Sequence, residues 1–172
     1  MAYPSNSNSP KDILCGLVDK SISLDNELPP YLSDITSIGN YAFYDCPNLA
    51  LTSLPEGVTS IDDSAFRDCT NLALTSLPKG ITSIGRYAFY GCTKLALTSL
   101  PRGITSIGSS AFEGCTNLTS ITFKGTPNSI DSYAFRNCTN LTTINVPWAE
   151  GAVAYAPWGA TKATINYNYK GA

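Results

Sequence analysis

Cysteines are the residues of this chain whose type and spacing could do chemistry. The 172-residue sequence contains six of them. Five stand 23 residues apart: Cys46, Cys69, Cys92, Cys115 and Cys138. The sixth, Cys15, lies outside this series, and the short Cys-x-x-Cys spacing of zinc sites is missing. Side chains that recur once per repeat point the same way in a ladder, so we predict buried, reduced thiols that act as small hydrophobic residues.

Other catalytic groups are equally sparse in the sequence. Histidine, the commonest general base and metal ligand, is absent, and no G-x-S-x-G, P-loop or dinucleotide-binding motif occurs. Asp62 and Asp63 form the only adjacent acidic pair, which we interpret as a solvated turn rather than a catalytic or calcium site. We therefore predict a protein that is not an enzyme and that needs no cofactor or metal.

Composition narrows the classes of partner. Hydrophobic residues make up 43% and charged residues 14% of the chain, which is enough apolar material for a core and too little charge for disorder. The net charge of −2 gives no basic footprint for nucleic acid. No apolar run is long enough to span a membrane, and residues 1–10 lack the apolar stretch of a secretory signal. We expect the protein in the host-cell cytoplasm or in a virion.

A strict internal repeat must position these residues. Phenylalanine recurs at the same 23-residue step as cysteine, from Phe43 to Phe135, and leucine does so too. Each unit reads I-T-S-I-G-x-x-A-F-x-x-C-x-x-L followed by A-L-T-S-L-P-x-G, and the units starting at Val58 and Ile81 match at 15 of 23 positions. A unit of this length cannot bury its own apolar face, so the units must stack into a solenoid with one continuous core.

Proline and glycine divide each unit into short strands. Pro55 follows the last Leu of an L-T-S-L run, where a strand must stop, and Gly57 permits a tight reversal. The same pair recurs in the next two units. The pattern predicts five parallel β coils, whose strand spacing makes a core stack on the order of 24 Å long.

The repeat resembles the BspA-like leucine-rich repeats, whose hallmark is I-G-x-x-A-F-x-x-C-x-x-L followed by a strand that ends in Leu-Pro. The resemblance covers Ile35 to Pro147. It implies a parallel-sheet solenoid with few regular helices, no catalytic residues, and roles in surface attachment, host-protein binding or virions. The first three units carry L-A-L-T-S-L and the last two do not, which leaves open which of Leu49, Leu51 and Leu54 face inward.

The two ends of the chain depart from the repeat and are predicted to be caps. We assign residues 1–34 to an N-terminal cap with a short helix that begins at Ser9 and Pro10. Residues 35–147 form the five repeats, and residues 148–172 form a C-terminal β cap. In that cap, residues 164–169 alternate like a strand, and Trp148 or Trp158 closes the core. The ending P-W-G-A-x-x-A-x-I-N-Y-N-Y is similar to the tails of repeat proteins encoded by phages and prophages of gut bacteria.

Three columns of residues vary while their neighbours repeat, and these columns are the candidate binding site. They are mostly outward positions, rich in the Tyr and Arg that supply contact area at interfaces. The predicted partner-binding residues are Asn40, Tyr41, Tyr44, Asp63, Arg67, Arg86, Tyr87, Tyr90, Glu113 and Arg136. The alternative is that exposed solenoid loops simply drift in sequence.

Two functions fit a leucine-rich-repeat solenoid of this kind. In the first, the protein is phage- or bacterium-encoded and attaches to a host surface or virion component, with another protein or a cell-surface glycan as partner. In the second, it is a small intracellular phage-type protein that inhibits or scaffolds a host protein. The sequence predicts neither the partner's identity nor the oligomeric state.

Overall fold

The protein is a stack of short coils joined by turns. The structure, a computed structural model, describes residues 35–171; the predicted N-terminal helix and Cys15 lie outside this range. In chain order the strands are β1 (Ser37–Ile38), β2 (Ser60–Ile61), β3 (Ser83–Ile84), β4 (Ser99–Leu100), β5 (Ser106–Ile107), β6 (Ser120–Phe123), β7 (Ser129–Ile130), β8 (Thr143–Asn145) and β9 (Thr164–Asn166). Within the described range, no helix has the length and apolar character needed to cross a membrane.

One side of the stack is a five-stranded parallel sheet, here sheet A, in the order β1-β2-β3-β5-β7. Its strands pair in register at the repeat period, as in Ser60 with Ser83. The T-S-I-G sequence alternates, so each Ile is buried and each Ser lies on the outer face. The Thr before each Ser also joins the coils, because its Oγ1 donates to the Thr carbonyl of the preceding coil; for Thr82 and Thr59 the distance is 3.1 Å.

A second side is the parallel sheet B, in the order β4-β6-β8-β9. Strand β6 alternates regularly, with Ile121 and Phe123 buried. In the first three coils the L-T-S-L run instead places two polar residues between buried leucines, which interrupts the alternation and leaves little or no strand there. All the leucines whose orientation the sequence left open face inward: Leu49, Leu51 and Leu54.

The third side consists of tight turns around the A-F pair of each coil, which we call the A-F turns. Their backbones also form a ladder, in which the N–H of Phe66 donates to the carbonyl of Ala88 at 2.8 Å. The rings behind this ladder are stacked, with neighbouring centroids 5.2, 5.5, 5.4 and 5.1 Å apart from Phe43 to Phe135. These rings and the buried Ile and Leu columns make one continuous core.

The cysteine ladder is buried throughout as predicted, but its first member is not a free thiol. Cys69, Cys92, Cys115 and Cys138 are free thiols and are buried. Each donates its S–H to a Phe carbonyl in the preceding coil, as from Cys92 to Phe66 at 3.0 Å. Cys46 is disulfide-bonded, which corrects the prediction that every thiol is reduced.

The C-terminal stretch forms a sixth coil, where the sequence had suggested an end to the repeat. Trp158 stands 23 residues after Phe135, but its ring packs against Phe123 and Trp148 and does not continue the phenylalanine stack. Its carbonyl accepts from the Phe135 N–H at 2.9 Å, and its side chain is fully buried. Strand β9 then pairs with β8, so that Ile165 lies opposite Ile144. The final strand and the closing tryptophan are confirmed; the loss of the repeat is not.

Candidate interaction surface

The A-F turns hold two of the predicted tyrosines at the surface. Tyr41 and Tyr87 open their turns at positive φ, 57° and 55°, which reverses the chain there. Their side chains remain 57% and 38% exposed. Ser64 and Ser110 occupy the same position in the second and fourth coils at almost the same φ, 56° and 53°, and are buried. The backbone conformation is therefore common to the column, and the tyrosine rings are additions to it.

Five side chains of the first three coils form a compact cluster, here called the aromatic patch: Tyr41, Tyr44, Arg67, Tyr87 and Tyr90. Arg67 is its centre, with Cζ 5.6 Å from the Tyr44 ring centroid, 5.5 Å from Tyr87 and 4.9 Å from Tyr90. These distances lie within the range of cation–π attraction. The Arg67 Nε also donates to Asp68 at 3.3 Å. The guanidinium therefore organises the surrounding rings into one platform.

These contacts show that the variable residues also stabilise each other. Arg67 lies among rings from the coils on either side, so this outward column also contributes to packing between coils. Each cation–π contact at such a site contributes about 0.5–1 kcal/mol. A partner that binds the patch meets side chains that are already ordered, so the entropy lost on binding is reduced.

A smaller cluster lies on the fourth and fifth coils. The Arg136 Cζ is 5.5 Å from the Tyr133 ring centroid, and its Nε is 3.7 Å from a Glu113 carboxylate oxygen. Glu113 was predicted to face outward, but it is only 9% exposed. Its Oε1 also accepts from the Asn137 amide at 3.2 Å, so the carboxylate is held by two neighbours. Glu113 positions the adjoining coil and presents little surface to a partner.

Asn40, Asp63 and Arg86 form the third predicted column, and two of them bond to backbone. Asn40 Oδ1 accepts from the Asp63 N–H at 2.9 Å, and Asp63 Oδ1 accepts from the Arg86 N–H at 2.7 Å. Arg86 is exposed and forms no ion pair within residues 35–171. These bonds connect the first three coils, and the Arg86 guanidinium remains available for contact with a partner.

The same column borders an open groove of about 580 Å³ on the outer face of sheet A. The groove crosses the strands from Asn40 in the first coil to Tyr155 in the sixth. Asp62, Asp131 and Tyr155 line it, and the sequence analysis did not select them. Asp62 and Asp131 lie 69 residues apart, a multiple of the repeat. Their shared column was the signal that could have identified them.

The described residues provide surfaces for contact and no recognisable reaction centre. Among residues 35–171 no group of three or more Cys, Asp or Glu side chains is placed to hold a metal ion. The thiols have strongly perturbed acidity, but in the unreactive direction. Burial is the main cause that raises the pKa of Cys92 and Cys115 well above 9.0, and it raises that of Cys138 to about 12. They remain neutral, and neutral thiols are poor nucleophiles.

Solved structures of leucine-rich-repeat proteins resemble this one. A leucine-rich repeat protein from Bacteroides ovatus is 30% identical over 69% of the chain, with a TM-score of 0.56. The T. pallidum leucine-rich repeat protein is 31% identical over 78% of the chain, with a TM-score of 0.61. The pneumococcal vaccine antigen PcpA shares the fold at 24% identity and a TM-score of 0.51. The chain spans 30% of the Bacteroides structure and 64% of the T. pallidum structure.

The sequence profile of the BspA type leucine rich repeat region matches residues 36–151 in six copies. The matched span covers the five 23-residue repeats and ends before Trp158 and β9, so it does not include the sixth coil. A comparison with functionally curated proteins finds no match. Leucine-rich-repeat solenoids are generally non-enzymatic scaffolds that bind other proteins. The match covers about two-thirds of the sequence, and the chain belongs to the BspA type leucine-rich-repeat family.

Proposed function

We propose that this chain is a non-enzymatic binding module, phage- or bacterium-encoded, that attaches to a protein of a host surface or virion through the aromatic patch. The observation that carries the proposal is the Arg67 guanidinium surrounded by the rings of Tyr44, Tyr87 and Tyr90. Tyr and Arg are the residues in which binding energy is commonly concentrated. The family's general role in protein binding and the phage-like ending of the sequence support it.

The chemistry of the patch indicates what kind of contact it makes. Tyr41 and Tyr87 expose ring faces and hydroxyls, so a partner could bury apolar area and still form polar contacts at the edge. The Arg67 charge is already paired with Asp68, and its burial would therefore leave no unpaired cation. We expect a partner surface that contributes aromatic or aliphatic side chains at its centre.

The sharpest test replaces the exposed rings by the residue that the repeat itself uses. Tyr41→Ser combined with Tyr87→Ser restores the serine found at φ 56° and 53° in the alternate coils. The backbone should not be strained, and the loss of stability should stay near 1 kcal/mol. Capture of the partner should weaken at least tenfold, about 1.4 kcal/mol or more.

Tyr133→Ser is the matched control, because Tyr133 is 53% exposed in the same column and also contacts an arginine. The three proteins would be immobilised and exposed to surface and cytoplasmic fractions of bacterial and animal cells, followed by quantitative mass spectrometry. A surface protein lost only from the double variant supports attachment. A cytoplasmic one supports the alternative, an intracellular inhibitor or scaffold. Equal capture by all three proteins contradicts a role for the patch.

A further inference from the structure

The groove on sheet A is a second surface, separate from the aromatic patch. It runs across the strands, along the direction in which the coils stack, from Asn40 to Tyr155. Sheet A contributes Ser and Ile positions to its floor, and the A-F turns contribute one wall. A groove of this shape, open to solvent along its length, fits a linear ligand that lies parallel to the solenoid axis.

Hydrogen-bonding groups dominate the side chains along the groove. Ser83, Ser106 and Ser129 place hydroxyls on the floor, one coil apart. The Asp62 carboxylate has no hydrogen-bond or ion-pair partner within residues 35–171. Hydroxyls both donate and accept, whereas carboxylates only accept. The best complement is a ligand rich in groups that do both, as sugar hydroxyls do, because a proline-rich or apolar segment would leave the Asp62 carboxylate without a donor.

The spacing of the coils favours a sugar chain over an extended peptide. Adjacent strands of sheet A lie ~4.8 Å apart, which sets the spacing of the Ser hydroxyls on the floor of the groove. A β-1,4-linked pyranose chain advances by a similar length per sugar, and because alternate rings are turned over, equivalent sugar edges would meet every second coil. An extended peptide advances ~3.3 Å per residue, and neither one nor two residues match a coil.

An exposed aromatic ring closes one end of the groove. Tyr155 is 72% exposed, the largest exposure among the large apolar side chains of residues 35–171. Its turn is held by Trp158, whose backbone N–H donates to the Tyr155 carbonyl at 2.8 Å and whose Nε1 donates to Ala154 at 2.7 Å. An exposed ring on an ordered turn provides a platform for the C–H face of a pyranose.

We propose that this groove binds a neutral, linear β-1,4-linked glycan, with one sugar per coil between Asp62 in the second coil and Tyr155 in the sixth. Three carboxylates, Asp62, Asp63 and Asp131, line the groove against one cation, Arg86, so the net negative charge would repel uronic or sialic acids and favour uncharged chains. The site does not depend on the aromatic patch, so either can fail without the other.

The test uses the soluble hexasaccharides of β-1,4-linked glucose and N-acetylglucosamine as probes, with isothermal titration calorimetry. We expect at least one to bind, with affinity that rises from the disaccharide to the pentasaccharide and then levels off. Asp62→Ala should weaken binding about tenfold by removing an acceptor. Tyr155→Gly should do the same at the other end, since glycine adopts the φ of 68° without strain. Neither variant should alter protein capture by the aromatic patch.

Two controls make the result decisive. Glu56→Ala removes the same charge from an exposed turn outside the groove and should bind like the parent. The β-1,4-linked mannuronate hexasaccharide has the same linkage with a carboxylate on each ring and should not bind. No binding of either neutral probe at millimolar concentration overturns the proposal. So does parent-like affinity in both groove variants, equal affinity for the mannuronate, or selective binding of a lysine-rich extended peptide in place of sugars.

Discussion

Single residues in this protein take their properties from the column they occupy. A cysteine in the ladder is surrounded by core side chains, and its S–H donates to a Phe carbonyl of the preceding coil, at 3.1 Å for Cys115. Burial is the main cause that favours the protonated thiol, because a thiolate would lose its solvation there. The result is a pKa raised to about 12 for Cys138 and well above 9.0 for Cys92 and Cys115. These thiols are packing groups that cannot be ionised without opening the core.

The raised thiol pKa values predict how stability depends on pH. Unfolded thiols ionise near 9.0, while in the folded state Cys138 ionises only at about 12. The folded form therefore binds more protons in this window, so the ladder's contribution is complete below pH 9.0 and is lost as the pH rises toward 12. Urea unfolding at about pH 8 and about pH 11 should show the decline. In Cys92→Ala combined with Cys115→Ala the decline should be shallower, and an unchanged slope would refute the explanation.

Glu113 shows what residue patterns could not reveal. The sequence identifies Glu113 and Arg136 as members of a variable column, and variation suggested an outward site. In the structure, residues one coil apart in this column contact each other: Arg67 with Tyr44 and Tyr90, and Glu113 with Arg136. Such pairing depends on side-chain rotamers across coils, which a one-dimensional pattern does not contain.

At the scale of elements, the repeat period predicted the coils, their parallel direction and the inward columns. The sixth coil was missed because only part of it keeps the 23-residue step. Trp158 follows Phe135 at that step, but β9 pairs with β8 at an offset of 21 residues, as for Thr143 and Thr164. The segment from Trp158 to β9 is two residues shorter than the segment from Phe135 to β8, and the I-T-S-I-G signature is absent. The tryptophan at the 23-residue step was a sequence signal of this coil.

Substitutions of Trp158 in the sixth coil should lower the unfolding free energy by different amounts. Trp158→Ala removes a fully buried indole that packs against Phe123 and Trp148, and it should cost about 3–5 kcal/mol of unfolding free energy. Trp158→Phe keeps an aromatic ring there and should cost only about 1–2 kcal/mol, from the lost hydrogen bond to Ala154 and reduced volume. Chemical denaturation would measure both. Equal losses, or no loss from alanine, would show that the Trp158 ring is not a packed part of the core.

In the whole molecule, the repeating columns form the core and the variable columns contribute to the surfaces. Inward Ile, Phe, Cys and Leu positions recur because each must pack on its copy one coil away, and they were predictable for that reason. The surfaces were only partly predictable. The aromatic patch includes five of the residues selected from sequence, but the groove exists only once the coils are stacked, and it recruits Asp62, Asp131 and Tyr155 from distant parts of the chain.

The central claim is that a partner protein contacts the aromatic patch, and photo-crosslinking tests it most directly. The photoreactive p-benzoyl-phenylalanine would be placed at Tyr87 in the patch, at Tyr133 in the fifth coil, or at Lys79 in an exposed turn. Each protein would be irradiated with the cell fraction from which the parent captures its partner, and adducts would be identified by mass spectrometry. We predict a covalent adduct with that partner from position 87 and none from 79 or 133. An adduct from 79 or 133 with none from 87 would contradict the account.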